Sequence, residues 1–202
     1  MNLKDTYNKI ARDWHEDHLK DDWWIDGTDQ FISLFTPGST ILDIGCAGGT
    51  KAKYFIEHGL KVMGIDFSEE MINISREFVP EARFQILDLT EVSSLTEMYD
   101  GIFIQAVLLH IPKSEVQEQI KQIVTKLKDE GYLYIAVKET KPNTPEEKIK
   151  TESDYGYEYE RFFSYFNMEE IRGYLSESEL TLVSETITPS GKTNWIQVVA
   201  QK

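Results

Sequence analysis

A chain of 202 residues, 41% of them hydrophobic, is sized for one domain with a substantial core. Its formal net charge of −14 disfavours nucleic acid as a partner, because phosphate-backbone affinity comes from Lys and Arg. The single Cys46 and four scattered His exclude an intrachain disulfide framework and a cysteine metal cluster, so no metal is expected.

The N-terminus is charged from Lys4 onward instead of carrying a signal-peptide core, and no apolar run is long enough for a membrane span. A cytoplasmic protein with no membrane partner is therefore expected. Leu3, Tyr7, Ile10 and Trp14 recur at helical spacing, so the first helix is amphipathic. It reads either as packing for a sheet or as a cover over a ligand. Asp21-Asp22-Trp23-Trp24 places two adjacent indoles in a polar setting, and at least one must leave the core for a cleft or the surface. A short helix over Gln30 to Phe35 closes at Pro37-Gly38.

Ile41 to Ile44 is a short apolar, β-branched run of the kind found in buried parallel strands. Gly45-Cys46-Ala47-Gly48-Gly49 follows as a turn, with Cys46 a small buried spacer. A helix carrying Ala52, Phe55 and Ile56 runs to Gly59. A second strand, Lys61 to Ile65, ends in Asp66 about 20 residues beyond Gly45, the distance at which an acid meets ribose hydroxyls. Ser68 is placed to cap the next helix, with Glu69 and Glu70 in its first turn and Pro80 at its end. A third strand, Arg83 to Leu87, ends in Asp88, and a fourth, Gly101 to Ile104, ends in Gln105. In a parallel sheet these ends share one edge, where ligands bind.

A helix through Val116, Ile120, Ile123, Val124 and Leu127 is expected to stop at Gly131, where a fifth strand runs from Tyr132 to Val137. Residues 139–160 form a polar stretch with Pro142 and Pro145, too long for an ordinary connection and so a candidate lid. Seven rings then crowd the segment from Tyr155 to Phe166, which must partly bury itself. Tyr155, Tyr157 and Tyr159 alternate; they wall an acceptor pocket with Trp23 and Trp24 or pack an added strand. Asn167 caps a last helix, and strands over 180–187 and 194–200 form an antiparallel hairpin.

Asp43-Ile44-Gly45-Cys46-Ala47-Gly48-Gly49, Gly64-Ile65-Asp66-Phe67-Ser68, Gln85-Ile86-Leu87-Asp88-Leu89 and Tyr99-Asp100-Gly101-Ile102-Phe103 together resemble the ordered motifs of class I S-adenosylmethionine-dependent methyltransferases. The resemblance runs from about Tyr7 to the C-terminus. It implies an α/β, Rossmann-like seven-stranded sheet, five parallel strands plus a C-terminal antiparallel hairpin, with helices on both faces. One domain, 1–202, is expected, with a helical cap over 1–36 and an aromatic lid over 139–166. By the same resemblance the cofactor is S-adenosylmethionine, with S-adenosylhomocysteine as product. Gly45, Cys46, Ala47 and Gly49 would hold its methionine part, Asp66 the ribose, Phe67 one adenine face, and Asp88 the adenine amino group, with Ser68 and Leu89 as further cofactor-binding residues. Tyr7 and Trp14 would fold over it, and Gln105 would meet it from the fourth strand's end. Ala47 stands where the family has a glycine, which implies a slightly tighter turn.

A nicotinamide-dependent oxidoreductase is the main competitor, and a binding module without an acceptor pocket is another. The glycines do not follow G-x-G-x-x-G, and Asp43 and Asp88 would repel a pyrophosphate. Tyr134 and Lys138 match a Tyr-x-x-x-Lys spacing, but four residues along a strand spread them about 13 Å apart. Methyl transfer to a small-molecule acceptor is the expected reaction. A base is optional, and His110 is the first candidate, with Tyr157 and Arg161 as further catalytic candidates. The acidic, aromatic lid points to a neutral or cationic acceptor. A monomer or homodimer is expected.

Overall fold

The computed structural model describes residues 2–202. Its main sheet contains β1 (Thr40–Ile44), β2 (Lys61–Asp66), β3 (Arg83–Ile86), β4 (Tyr99–Gln105), β5 (Leu127–Lys138), β8 (Thr181–Ser190) and β9 (Thr193–Gln201), in the order β3-β2-β1-β4-β5-β9-β8. β1 to β5 are mutually parallel, and β9 runs antiparallel between β5 and β8. The expected five parallel strands and terminal hairpin are both present.

Each central strand is buried on both faces, so its alternating residues feed two cores. Leu42, Ile44, Ile102, Ile104, Leu133 and Ile135 face α5 (Lys113–Val124) and α6 (Met168–Glu177), meeting Val116, Ile120 and Ile171. Ile41, Phe103 and Tyr134 face the opposite layer, where α2 (Ile25–Ile32) supplies Phe31 and α3 (Thr50–Glu57) supplies Phe55. Phe103 stacks on Tyr134 with ring centres 4.3 Å apart, which ties β4 to β5 beneath the cleft. The Tyr134 hydroxyl donates to Gln197 Oε1 at 2.5 Å, inside the core, so its spacing to Lys138 builds no joint site.

Local signals fix most helix starts. Ser68 Oγ accepts from Met71 N at the start of α4 (Glu69–Phe78). Asn167 and Glu170 cap α6 reciprocally. The first helix, α1 (Leu3–His18), lies on α4 through Ala11, Met71 and Ile74.

Three boundaries differ from expectation. The second helix begins at Ile25, before Gln30. Gly131 does not stop a helix: α5 ends at Val124, and β5 begins at Leu127 with an irregularity between Tyr99 and Gly101 of its partner strand. Glu130 sits there with φ of 60°, so the charged run Lys128-Asp129-Glu130 hides the strand's start. Residues 139–166 are not a plain loop but contain a hairpin of β6 (Glu147–Glu152) and β7 (Tyr159–Ser164), lying beside α1 and the 3-10 turn Leu108–His110.

Candidate functional site

The carboxyl ends of β1, β2 and β4, together with the residues that follow β3, open into one cleft of about 680 Å³. The turn after β1 is the tightest part of its floor. Gly45 has φ of 69°, and a Cβ there would lie 2.2 Å from Val107 Cγ2, so both conformation and space require glycine. Ala47 also takes a left-handed conformation, φ 47°.

Most of the turn's amide donors are already engaged. Gly45 N and Cys46 N donate to Ile65 O, Gly49 N to Cys46 O, and Ala47 N to Asp66 Oδ2 at 3.0 Å. These four amides are therefore not free to meet a ligand. Burial pushes the Cys46 thiol well up, which disfavours its thiolate.

Acidic groups line this end of the cleft. Asp66 Oδ1 accepts from Ser68 N at 2.8 Å, and burial raises its carboxyl to about 6 despite these bonds. Asp43 is 3% exposed, its Oδ2 has no hydrogen-bond partner among the described residues, and burial raises it to about 7 against the pull of Lys51. Burial in turn lowers Lys51 to about 8. Asp88 Oδ1 accepts from Thr90 N and Thr90 Oγ1, bracing the 3-10 turn Leu89–Ser94. Gln105 Oε1 is buried and has no partner among the described residues.

Aromatic groups close the cleft from above. Tyr7 meets Phe67 edge-on at 5.8 Å and Trp14 at 6.5 Å, and Trp14 stacks on His18 at 4.0 Å. Tyr7 Oη donates to His110 Nε2 at 2.7 Å, while His110 Nδ1 donates to the Phe162 carbonyl at 2.7 Å. A carbonyl only accepts, so the proton sits on Nδ1 and Nε2 is the acceptor. Burial, with the charges of Arg161 and Lys138, pushes the imidazole down to about 3. Arg161 donates through Nε to Glu152 at 2.6 Å and from Nη1 to Tyr7 Oη at 3.4 Å. Glu152, Arg161, Tyr7 and His110 therefore join the hairpin, α1 and the turn after β4 in one network.

Of the residues expected from sequence, Tyr7, Trp14, Gly45, Cys46, Ala47, Asp66, Phe67, Asp88, Leu89, Gln105, His110 and Arg161 line the cleft. Three do not. Gly49 begins α3 and faces Ser75 and Val79. Ser68 is wholly buried, its hydroxyl donating to Asn8 Oδ1. Tyr157 lies against α1, donating to Asp13 Oδ2 at 2.6 Å beneath Lys9. Tyr155 and Tyr159 stack on each other at 5.6 Å, so these three tyrosines pack the hairpin and wall no pocket. Trp23 lines the cleft, as expected of one indole of the pair, whereas Trp24 is buried against Tyr54. Lys138, which the sequence offers only in its spacing to Tyr134, also lines the cleft, as do Phe163 and Trp195. Lys138 carries the same signal as Asp66 and Gln105, a polar residue ending an apolar strand.

Residues 41–131 match the family described as methyltransferase domain. The chain is 26% identical over 141 residues to a ubiquinone biosynthesis O-methyltransferase of Coxiella burnetii, covering 64% of this chain and 58% of that protein. It is 31% identical over 102 residues to a putative methyltransferase of Bacillus subtilis, covering 48% of this chain and 41% of that one. The chain thus spans about half the length of such relatives. Among solved structures, a 1,6-didemethyltoxoflavin-N1-methyltransferase of Burkholderia thailandensis, with 1,6-didemethyltoxoflavin and S-adenosylhomocysteine bound, superposes with TM-score 0.77. It is 18% identical, covering 99% of this chain and 87% of that one. A magnesium protoporphyrin IX methyltransferase of Synechocystis with S-adenosylhomocysteine gives 0.74 at 17% identity, covering 99% and 98%. Residues 41–131 thus match a methyltransferase domain, and nearly the whole chain shares the fold of these solved methyltransferases.

Proposed function

We propose that the chain transfers a methyl group from S-adenosylmethionine to a small organic acceptor. One observation carries the reading: Asp43, Asp66 and Asp88 line the same cleft around a turn whose amides are mostly engaged. That surface repels a pyrophosphate and suits a ligand bearing an ammonium and a sulfonium. The two structural relatives just named hold S-adenosylhomocysteine on the same fold, which supports the assignment.

Asp66 accepts from the ribose hydroxyls with the lone pairs left by Ala47 N and Ser68 N, Phe67 covers one adenine face, and Asp88 accepts from the adenine amino group. Gly45, Cys46 and Ala47 hold the methionine part, with Tyr7, Trp14, Leu89 and Gln105 around it. S-adenosylmethionine supplies a methyl group already activated by its sulfonium. The protein's contribution is alignment and exclusion of water, and holding reactants in attack geometry is worth roughly 7–11 kcal/mol. His110 is a positioning residue in this account. Its one acceptor nitrogen takes the Tyr7 proton, and an imidazole at about 3 is far from the value suited to a base at neutral pH.

The same reading takes one domain, with residues 1–36 as a cap and 139–166 as an insertion over the cleft, as a monomer or homodimer in the cytoplasm. A small molecule in place of nucleic acid accords with the net charge of −14. Among the described residues no helix is long and apolar enough to cross a membrane. Methyl-tritiated S-adenosylmethionine incubated with fractionated small-molecule extracts tests the proposal. Label should pass to an extractable acceptor with wild type and not with Gly45→Val; equal transfer by both would overturn it.

A further inference from the structure

The strand ends along the cleft carry acids on one side, where Lys51 stands beside Asp43, and a lysine on the other. Asp88, Asp66 and Asp43 occupy its β3-β2-β1 side, Gln105 ends the middle strand β4, and Lys138 ends β5 on the far side. Arg161 of β7 stands on that far side too, within reach of Lys138's charge. Lys138 Nζ has no hydrogen-bond or ion-pair partner among the described residues. It lies 4.3 Å from the Phe163 ring centre and 5.5 Å from that of Trp195, which stacks on Trp23 at 4.0 Å. The carboxylate near it, Glu152, is already bonded to Arg161 Nε at 2.6 Å and Lys150 Nζ at 2.5 Å. An ammonium withdrawn from water without a counter-charge is costly, and burial, with the Arg161 charge, lowers Lys138 to about 8. A ligand that brings an anion to this point relieves that cost.

Resting on the methyltransferase reading, we propose that the acceptor is an aromatic anion, with its negative oxygen on Lys138 and its ring among Phe163, Trp195 and Trp23. The three carboxylates keep such a molecule from the opposite end, so cofactor and acceptor sort by charge within one cleft. The acidic lid's expected preference for a neutral or cationic acceptor is reversed, because the acids of that segment are spent on its own cations or lie outside the cleft.

Benzoate, benzamide and benzylammonium share one ring and differ in charge. Each is titrated by ligand-observed NMR into wild type, K138M and K138R, with and without saturating S-adenosylhomocysteine. Benzoate should bind wild type about tenfold or more tightly than the other two, the change that one charge-assisted hydrogen bond carries. K138M should abolish that preference and K138R keep it. A preference for benzylammonium, no preference or binding among the three, or a benzoate preference that survives in K138M overturns the proposal. Should K138M fail to fold, the wild-type preference and its retention in K138R decide the matter. Failure of S-adenosylhomocysteine itself to bind overturns the cofactor reading instead, and the fragment preference of the ligand-free protein then still judges the acceptor site.

Discussion

The phenol of Tyr7 donates to Nε2 of His110 across 2.7 Å, linking the first helix to the turn after β4 directly over the cleft. Because His110 Nδ1 is committed to the Phe162 carbonyl, the direction of that bond is fixed. The pair holds α1 and the β6-β7 hairpin together as a roof and leaves neither nitrogen for the acceptor.

Tyr7→Phe removes the donor and leaves a buried ring nitrogen unsatisfied. Such a loss costs about 1–3 kcal/mol, and a domain of this size loses about 2–4 °C per kcal/mol. Thermal denaturation should show a Tm lower by about 2–12 °C, and an unchanged Tm would mean the network is not formed.

His110 gives a pH signature of known sign. Its folded value, about 3, lies below the ordinary histidine value, so the unfolded chain binds the extra proton between those limits. Its contribution to stability is complete at neutral pH and is lost as pH falls from about 6.5 toward 3. His110→Gln should therefore show a shallower loss of Tm between pH 7 and pH 4 than wild type. An identical slope would contradict the burial of a neutral imidazole.

The acids work in the opposite sense. Asp43 and Asp66 stand at about 7 and about 6, above their unfolded values, so their contribution to stability is full at acid pH and fades as pH rises through those values. A cationic ligand binds the ionised carboxylates, so affinity for S-adenosylmethionine should rise between pH 5 and pH 8. Calorimetry on Asp66→Asn should find a flatter pH profile and binding weaker by about 1.5–3 kcal/mol, the worth of hydrogen bonds to a charged group. Unchanged affinity would remove Asp66 from the ribose site.

Gly45→Ala places a methyl group 2.2 Å from Val107 Cγ2, at a backbone angle that disfavours any side chain. Binding of S-adenosylhomocysteine should fall sharply with the circular dichroism spectrum retained. Val107→Ala added to it should recover part of the loss, with the backbone strain of about 1 kcal/mol remaining. Simple additivity of the two substitutions would contradict the contact.

The parallel strands were legible because burial on both faces writes a short apolar run, and the site was legible because each run ends in a glycine, acid or amide. β6 was not: Glu147-Lys148-Ile149-Lys150-Thr151-Glu152 reads as a charge run, and its pairing with β7 lies in tertiary contact. The start of β5 was hidden by Lys128-Asp129-Glu130 for a similar reason. Lys138 carries a readable signal, a polar residue ending an apolar strand. Its importance comes from Phe163, Trp195 and Trp23, which reach it from other parts of the chain.

The central claim is most directly tested by thermal shift with S-adenosylmethionine, S-adenosylhomocysteine and NAD, each at saturation. Ligand at 100 times its dissociation constant adds about 2.7 kcal/mol, a rise of roughly 5–11 °C for a chain of this size. The account predicts that rise with the first two and none with NAD. A rise with NAD alone would contradict it and return the glycine turn to an oxidoreductase.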